Sequence, residues 1–286
     1  MMKISCMMCV YNTKESDLRE AIESILNQTF QDFELLVVDD GSTLPHVKKT
    51  IESYKDKRIK YFYKENQGII GYARDFALSK CKGEYIAVMD SDDIALPERF
   101  EKEVRFLDNH PDFFCVGGGL ETFPQKEIWI LSEYPCILDC LINSPVLNSS
   151  SMFRREMVEK YNLHYSSDYV ACEDYDFWAQ AMMKGLKFYN FQEILYLYRR
   201  ENQGVTSTTK VEILQSDSDK VRAKLMRFIA GDSIVWQQKL SEIIGSKNTY
   251  WLKVFNLPFV KVKVKRNVTK YYLFGKIRIF KLKKEK

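Results

Sequence analysis

Four short apolar stretches constrain this chain more than any other feature. They are "KISCMMCV" at 3–10, "DFELLVVDD" at 32–40, "RIKYFYK" at 58–64 and "EYIAVMD" at 84–90. Helix-length segments follow them: "SDLREAIESILNQ", "HVKKTIESY", "GYARDFALSKC" and "LPERFEKEVRFLDNH". In the first, Leu18, Ala21, Ile22, Ile25 and Leu26 recur at helical spacing, with Ser16 or Asp17 as a cap. In the last, Pro97 suits a first helical turn. Strands that alternate with helices imply βαβ crossovers and a mostly parallel sheet. Ligands of such sheets bind beyond the carboxyl ends of the strands. Two acidic clusters, Asp39-Asp40 and Asp90/Asp92/Asp93, fall at strand ends of that kind.

After residue 112 the pattern changes. "FFCVGGGLETF", "EIWILSEY", "LKFYNFQ" and "ILYLYRR" read as strands, "EDYDFWAQAMMKG" as a helix and "KVEILQSDSDKVRAKLMRFIA" as a long charged helix. A length of 286 residues fits one large domain with an appendage. No apolar run reaches the ~18 residues of a membrane span. The start, "MMKISCMMCVYN", lacks a signal-peptide pattern, so a cytoplasmic protein is expected. The seven cysteines are odd in number and sit in apolar segments, which suggests reduced core thiols. Cys6 and Cys9 would point to opposite faces of a strand. Cys136 and Cys140 share a helical spacing but lack further ligands for zinc. His46, His110 and His164 read as surface or loop positions.

Clustered carboxylates at a dry strand end repel one another. A hard divalent cation relieves this, and Mg²⁺ takes one or two protein carboxylates while phosphate oxygens fill other positions. Asp-x-Asp-Asp at a nucleotide-type crevice therefore suggests a metal–diphosphate complex; a solvated acidic turn before the next helix is the plainer alternative. On a helix from Glu173, the residues Phe177, Trp178, Ala181 and Met182 form an apolar stripe. Asp174 extends that stripe and Asp176 turns to another face. A carboxylate at the inward edge of a core-facing stripe needs a reason, and a first-turn acid that favours the helix dipole is the plain one.

Together these segments resemble the family 2 glycosyltransferases. The matching motifs are Tyr11-Asn12, "AIESILNQTFQDFELLVVDDGST", "GYAR", "GEYIAVMDSDD", "LPERF" and "EDYDFW", within residues 1–205. The resemblance implies an α/β GT-A fold: a Rossmann-like, mostly parallel sheet flanked by helices, with a smaller acceptor-side sheet. Residues 1–112 would bind the nucleotide sugar and 113–205 the acceptor, followed by a helical extension at 206–250 and a basic aromatic tail at 251–286. It further implies an inverting, metal-dependent transferase that moves a sugar from a nucleotide-diphosphate donor, most often UDP-linked, to a hydroxyl of a glycan or lipid-linked acceptor. Surface polysaccharide, capsule or lipopolysaccharide synthesis is the expected setting. Carried over by position, Val10, Tyr11 and Asn12 would line the base pocket, and Asp40 would contact the uracil. Asp90 would lie near the ribose, Ser91 would be a further nucleotide-sugar contact, and Arg74 would lie against the nucleotide. Asp92 and Asp93 would hold Mn²⁺ or Mg²⁺, and Asp174 would be the catalytic base. Relatives often carry a His where this chain has Arg199-Arg200, so both arginines are candidate diphosphate contacts. A sugar-nucleotide pyrophosphorylase or a dinucleotide oxidoreductase would want glycines after the first strand, and "CVYNTKESD" has none. A non-catalytic nucleotide-sugar-binding module is the remaining alternative.

From Trp251 onward there are twelve Lys/Arg and one acid, whereas residues 1–250 carry a net charge of −7. The tail interleaves these bases with aromatics, and Lys261-Val262-Lys263-Val264-Lys265 alternates as a strand would. Peripheral contact with the anionic inner face of a membrane is the expected use. Single-stranded nucleic acid and a solvated or oligomer-contacting tail are the alternatives.

Overall fold

The computed structural model describes residues 2–200, 209–231, 249–254, 257–265, 268–273 and 277–283. It divides into two compact units, Met1–Met226 and Arg227–Lys286.

The first unit opens with the expected alternation: β1 (Ile4–Val10), α1 (Glu15–Leu26), β2 (Phe33–Asp40), α2 (Pro45–Ser53), β3 (Ile59–Lys64), α3 (Ile70–Lys80) and β4 (Tyr85–Asp90). After it come β5 (Ile94–Ala95), α4 (Arg99–Asn109), β6 (Phe113–Phe123), β7 (Ile128–Trp129), α5 (Ile137–Cys140), β8 (Met152–Arg154), α6 (Arg155–Tyr161), α7 (Glu173–Met183), β9 (Lys187–Arg199) and α8 (Val211–Gly231). One sheet runs β3-β2-β1-β4-β8-β6-β9-β5, with β7 paired to β6. β3, β2, β1 and β4 are parallel, β8 runs against both β4 and β6, and β6 is parallel to β9.

Strand alternation feeds two cores, one on each face of the sheet. Cys6, Met8, Val10, Leu35 and Val37 pack with Leu18, Ile22 and Ile25 of α1 and Phe100, Val104 and Leu107 of α4. Met7, Leu36, Val38, Ile86 and Val88 pack with Ala77 of α3, Phe177 and Trp178 of α7 and Val221 and Leu225 of α8. Each buried Leu, Ile or Phe contributes about 1.5–3 kcal/mol, so both helical layers are firmly seated. Cys6 and Cys9 belong to opposite cores, as their odd separation requires. Cys140 is buried and Cys136 is exposed. His46 bonds the Thr13 carbonyl, and the His110 ring stacks on Phe106.

Several local expectations are corrected. Pro97 sits in a turn before α4, whose cap is Glu98. Ser16 and Asp17 lie inside the first turn of α1, and Lys14 precedes it without a side-chain cap. Of "EIWILSEY" only Ile128–Trp129 is strand, because Ile128, Trp129 and Ile130 face outward with no core to alternate against. "LKFYNFQ" and "ILYLYRR" are one strand. The polar break between them is a register shift opposite Gly117–Gly119, where Asn190 pairs with Gly117 and Ile194 with Gly119.

The second unit holds an antiparallel sheet of β10 (Thr249–Val254), β11 (Leu257–Lys265), β12 (Val268–Leu273) and β13 (Ile277–Lys283). In its register Lys261, Lys263 and Lys265 pair with Tyr272, Lys270 and Val268, and the last two pair with Lys281 and Lys283.

Candidate active site

β1, β2 and β4 end level with one another, since Val10 pairs with Asp39 and Cys9 with Asp90. Past β1, Asn12 takes a left-handed backbone (φ 53°), which Asn tolerates better than most residues. Its Oδ1 accepts the N–H groups of Thr43 at 2.8 Å and Leu44 at 3.1 Å, and its own N–H donates to Ser42 Oγ at 3.0 Å. The Thr13 and Ser91 hydroxyls lie 2.6 Å apart. Asn12 and Ser91 therefore lace the loops after β1, β2 and β4 into one rim, and Tyr11 stands 53% exposed on it. Val10 does not join them. Its side chain is fully buried in the α1 layer, which corrects the expectation that it lines a pocket.

At the end of β2, Asp39 accepts the Ser42 N–H at 2.8 Å and the Tyr61 hydroxyl at 3.0 Å. Asp40 accepts the Asn66 amide at 3.0 Å, and the Lys64 ammonium lies 3.6 Å from its other oxygen. Burial raises the Asp40 carboxyl pKa against the opposing pull of Lys64. Gly41 follows with φ +72°, and a Cβ there would lie 2.6 Å from the Asn66 nitrogen. Only glycine lets Asn66 close over Asp40 in this way.

Arg74 joins the end of β4 to the start of α7. Its guanidinium is buried, donates to Asp90 Oδ1 at 3.2 Å and lies 2.8 Å from Glu173 Oε1. Ser149 donates to the other Asp90 oxygen. Burial alone would weaken the Arg74 charge; Glu173, Asp90 and Asp174 outweigh it and hold the pKa above its usual value. Gly71, one turn earlier, sits where a Cβ would meet the Ser166 carbonyl at 2.5 Å, so α3 and the loop before α7 approach at backbone distance. Burial pushes Glu173 up to about 7, opposed by Arg74 and assisted by Asp174.

Asp174 is half-buried, and its Oδ1 accepts the Tyr175 N–H at 2.6 Å. The stripe argument for it is corrected. α7 is buried almost all round, and Asp176, at 1% exposure, is far more enclosed than Asp174. Asp176 does turn to another face, but α8 roofs that face: Lys224 donates to it at 2.7 Å, beside Tyr169 at 3.0 Å and Gln180 at 2.8 Å. What sets Asp174 apart is partial exposure next to the Arg74–Glu173 pair, a property of tertiary contact.

The paired acids Asp92 and Asp93 separate. Asp93 is fully buried, accepting the Tyr196 hydroxyl at 2.5 Å on one oxygen and the Arg199 N–H at 2.6 Å on the other. Burial, then the charges of Asp92 and Asp90, hold its carboxyl well above the usual range. With both oxygens on protein donors it braces the turn after β4 against β9, which corrects its expected metal role. Asp92 remains as the candidate ligand, pushed up to about 6 by burial and then by the Asp90 charge. Arg199 is also committed: Nε donates to the Asp92 carbonyl at 2.7 Å, Nη2 pairs with Glu20, and the group lies 4.5 Å from the Phe123 ring centre. Arg200 pairs with Glu127 and lies 5.9 Å from the Trp129 ring centre. Both arginines pair with the protein's own acids, Arg199 with Glu20 and the more exposed Arg200 with Glu127.

The rim's oxygen donors suit a hard divalent cation. Among the described residues no three His, Cys, Asp or Glu side chains form a complete cage, and a cation held by one or two carboxylates completes its shell with water and phosphate oxygens. Sequence reasoning missed Asn66, Ser149, Glu173 and Tyr196. Of these only Glu173 carried a signal, as the neighbour of Asp174 in "EDYDFW".

This mixed α/β, mostly parallel sheet flanked by helices matches the GT-A fold of glycosyltransferases. The chain belongs to glycosyl transferase family 2, whose model matches residues 5–174. EpsE of Bacillus subtilis is 32% identical over 207 residues, covering 70% of this chain and 74% of that protein. WbnJ of Escherichia coli, an O-antigen biosynthesis glycosyltransferase, is 31% identical over 192 residues, covering 64% of this chain and 74% of its own. The structure of S. aureus TarS 1–349 in complex with UDP-GlcNAc superposes with a TM-score of 0.64 at 20% identity, over 85% of this chain and 76% of that one, a likeness of fold.

Proposed function

We propose that the chain is an inverting, metal-dependent transferase that moves a sugar from a UDP-linked donor to a hydroxyl of a glycan or lipid-linked acceptor in surface-polysaccharide synthesis. One observation carries this reading: Arg74 bridges Asp90, at the end of β4, to Glu173, beside Asp174. That bridge puts the acid rim and the candidate base in one place. The UDP-GlcNAc held by the TarS structure and the O-antigen role of WbnJ support the donor class and the setting.

Residues 1–112 form the donor side and 113–205 the acceptor side. Tyr11, Asn12 and Asp40 receive the nucleoside, and Asp90 and Ser91 the ribose. Asp92 holds Mn²⁺ or Mg²⁺, which when bound neutralises charge on the departing diphosphate. Asp174 takes the proton of the acceptor hydroxyl. The hydroxyl oxygen forms its bond to the anomeric carbon from the face opposite the diphosphate, whose bond breaks with its electron pair, inverting the centre. Arg74 orders both ends of the site and lies against the nucleotide. A panel of nucleotide sugars with Mn²⁺, scored for nucleotide release by wild type and Asp174→Asn, tests the reading. Equal release by both in the presence of acceptor would refute it.

The basic composition of the second unit supports peripheral contact with the anionic inner face of a membrane. Its strands β11 to β13 carry Lys261, Lys263, Lys265, Lys270, Lys281 and Lys283, and each contributes about 1 kcal/mol near an anionic surface before screening. Removing residues 249–286 is expected to abolish co-sedimentation with phosphatidylglycerol vesicles and to leave phosphatidylcholine vesicles unaffected. Unchanged pelleting would exclude the membrane role.

A further inference from the structure

α8 lies past the stretch matched by the family model, yet its buried face reaches the loop that delivers Asp174. Val221 and Leu225 are fully buried, and Asp217, one turn earlier on that face, is 2% exposed. A carboxylate in such a stripe is costly unless its oxygens are used. Asp217 Oδ2 accepts the N–H groups of Val170 at 2.8 Å and Ala171 at 3.2 Å, and Lys220 donates to Oδ1 at 2.7 Å. Burial would raise its pKa; the bonds from Lys220 and the two amides outweigh that and lower it. Ser218 lies 3.4 Å from the Cys172 thiol, and Lys224 holds Asp176. Contacts from α8 thus fall on both sides of Glu173-Asp174. Between them, Cys172 has φ 118° and ψ 16°. A non-glycine residue so bent costs on the order of 1–3 kcal/mol and persists only where its surroundings over-determine it. Its carbonyl accepts the Asp176 N–H at 2.9 Å, so this bend opens α7.

We propose that Asp217 is a positioning residue for the transfer: by gripping the Val170 and Ala171 amides it fixes the bend at Cys172 and with it the aim of Asp174. The proposal rests on Asp174 being the base. An apolar side chain at 217 would leave the N–H groups of Val170 and of the buried Ala171 without this acceptor, and the loop would relax to satisfy them.

The test uses the full chain, the donor found in the panel above and its acceptor. Asp217→Ala is expected to lower kcat about 30-fold, with donor Kd and acceptor KM within about threefold of wild type. Asp217→Asn, whose amide oxygen still accepts both N–H groups, is expected to stay within about fivefold. Asp217→Glu keeps the charge but moves the oxygens by one methylene, so it also lowers kcat at unchanged donor affinity. It decides the matter should the alanine variant not fold. The proposal is overturned if the folded variants among Asp217→Ala and Asp217→Glu keep kcat within about threefold, or if donor affinity falls in step with kcat. Failure of the base reading looks different: Asp174→Asn itself would then transfer normally.

Discussion

Replacing Asp174 by Asn is expected to lower kcat by about 10²–10⁴-fold while donor affinity stays within about twofold. The amide is nearly isosteric, and its oxygen can still accept the Tyr175 N–H that the carboxylate accepts at 2.6 Å. What it cannot do is take a proton, so the loss falls on the step in which the acceptor is deprotonated. The donor contacts proposed above are at Asn12, Asp40, Asp90 and Asp92, and the substitution leaves those side chains in place. Acceptor-dependent nucleotide release read alongside calorimetric donor binding separates these effects. A parallel fall in kcat and affinity would mean that Asp174 shapes the donor site instead.

Arg74→Met is expected to destabilise the fold by about 3–5 kcal/mol, read as a lowered urea midpoint, and to remove transfer. Methionine matches the length of the arginine stem but leaves Asp90 and the buried Glu173 without their shared partner. Arg74→Lys is expected to rescue only part, because one ammonium cannot reproduce a planar fork that reaches both acids. The loss also depends on pH. Unfolded, Glu173 releases its proton near 4.5; folded, it holds it to about 7. The folded state therefore binds the extra proton, and this contribution to stability is lost as pH rises from 4.5 through about 7. Without Arg74 the folded value rises further, so the stability gap between variant and wild type widens from pH 5 to pH 8. A gap that is constant across that range would mean that Glu173 is not left uncompensated.

The alternation of the first half was legible because β1, β2 and β4 are buried on both faces and the helices between them on one, so period and length agree along β1 to α4. The second half was harder to read. β9 looked like two strands because its register shift puts Gln192 and Glu193 where a turn would be, and only the partner glycines at Gly117–Gly119 reveal one ladder. The acid rim could be placed from sequence, since carboxylates at parallel strand ends are rare without a use. Its division of labour could not: Asp92 and Asp93 are neighbours in the chain, and only Tyr196 and Arg199, more than a hundred positions away, distinguish them. The case of Asp174 is similar. Helical periodicity on α7 fails to mark it because α8 covers the face expected to be open, and Asp217 on α8 gives no local sign that it holds amides across the loop.

Calorimetric titration of UDP into the full chain, with and without Mn²⁺, bears most directly on whether these strand ends and this helix start enclose one cation-linked diphosphate site. The expected result is binding at least about tenfold tighter with Mn²⁺ in wild type. Asp92→Asn should lose that gain and Asp93→Asn should keep it, while Asp40→Asn should weaken binding with or without the cation. Affinity that ignores Mn²⁺ in wild type, or that survives unchanged in both Asp40→Asn and Asp92→Asn, would contradict it.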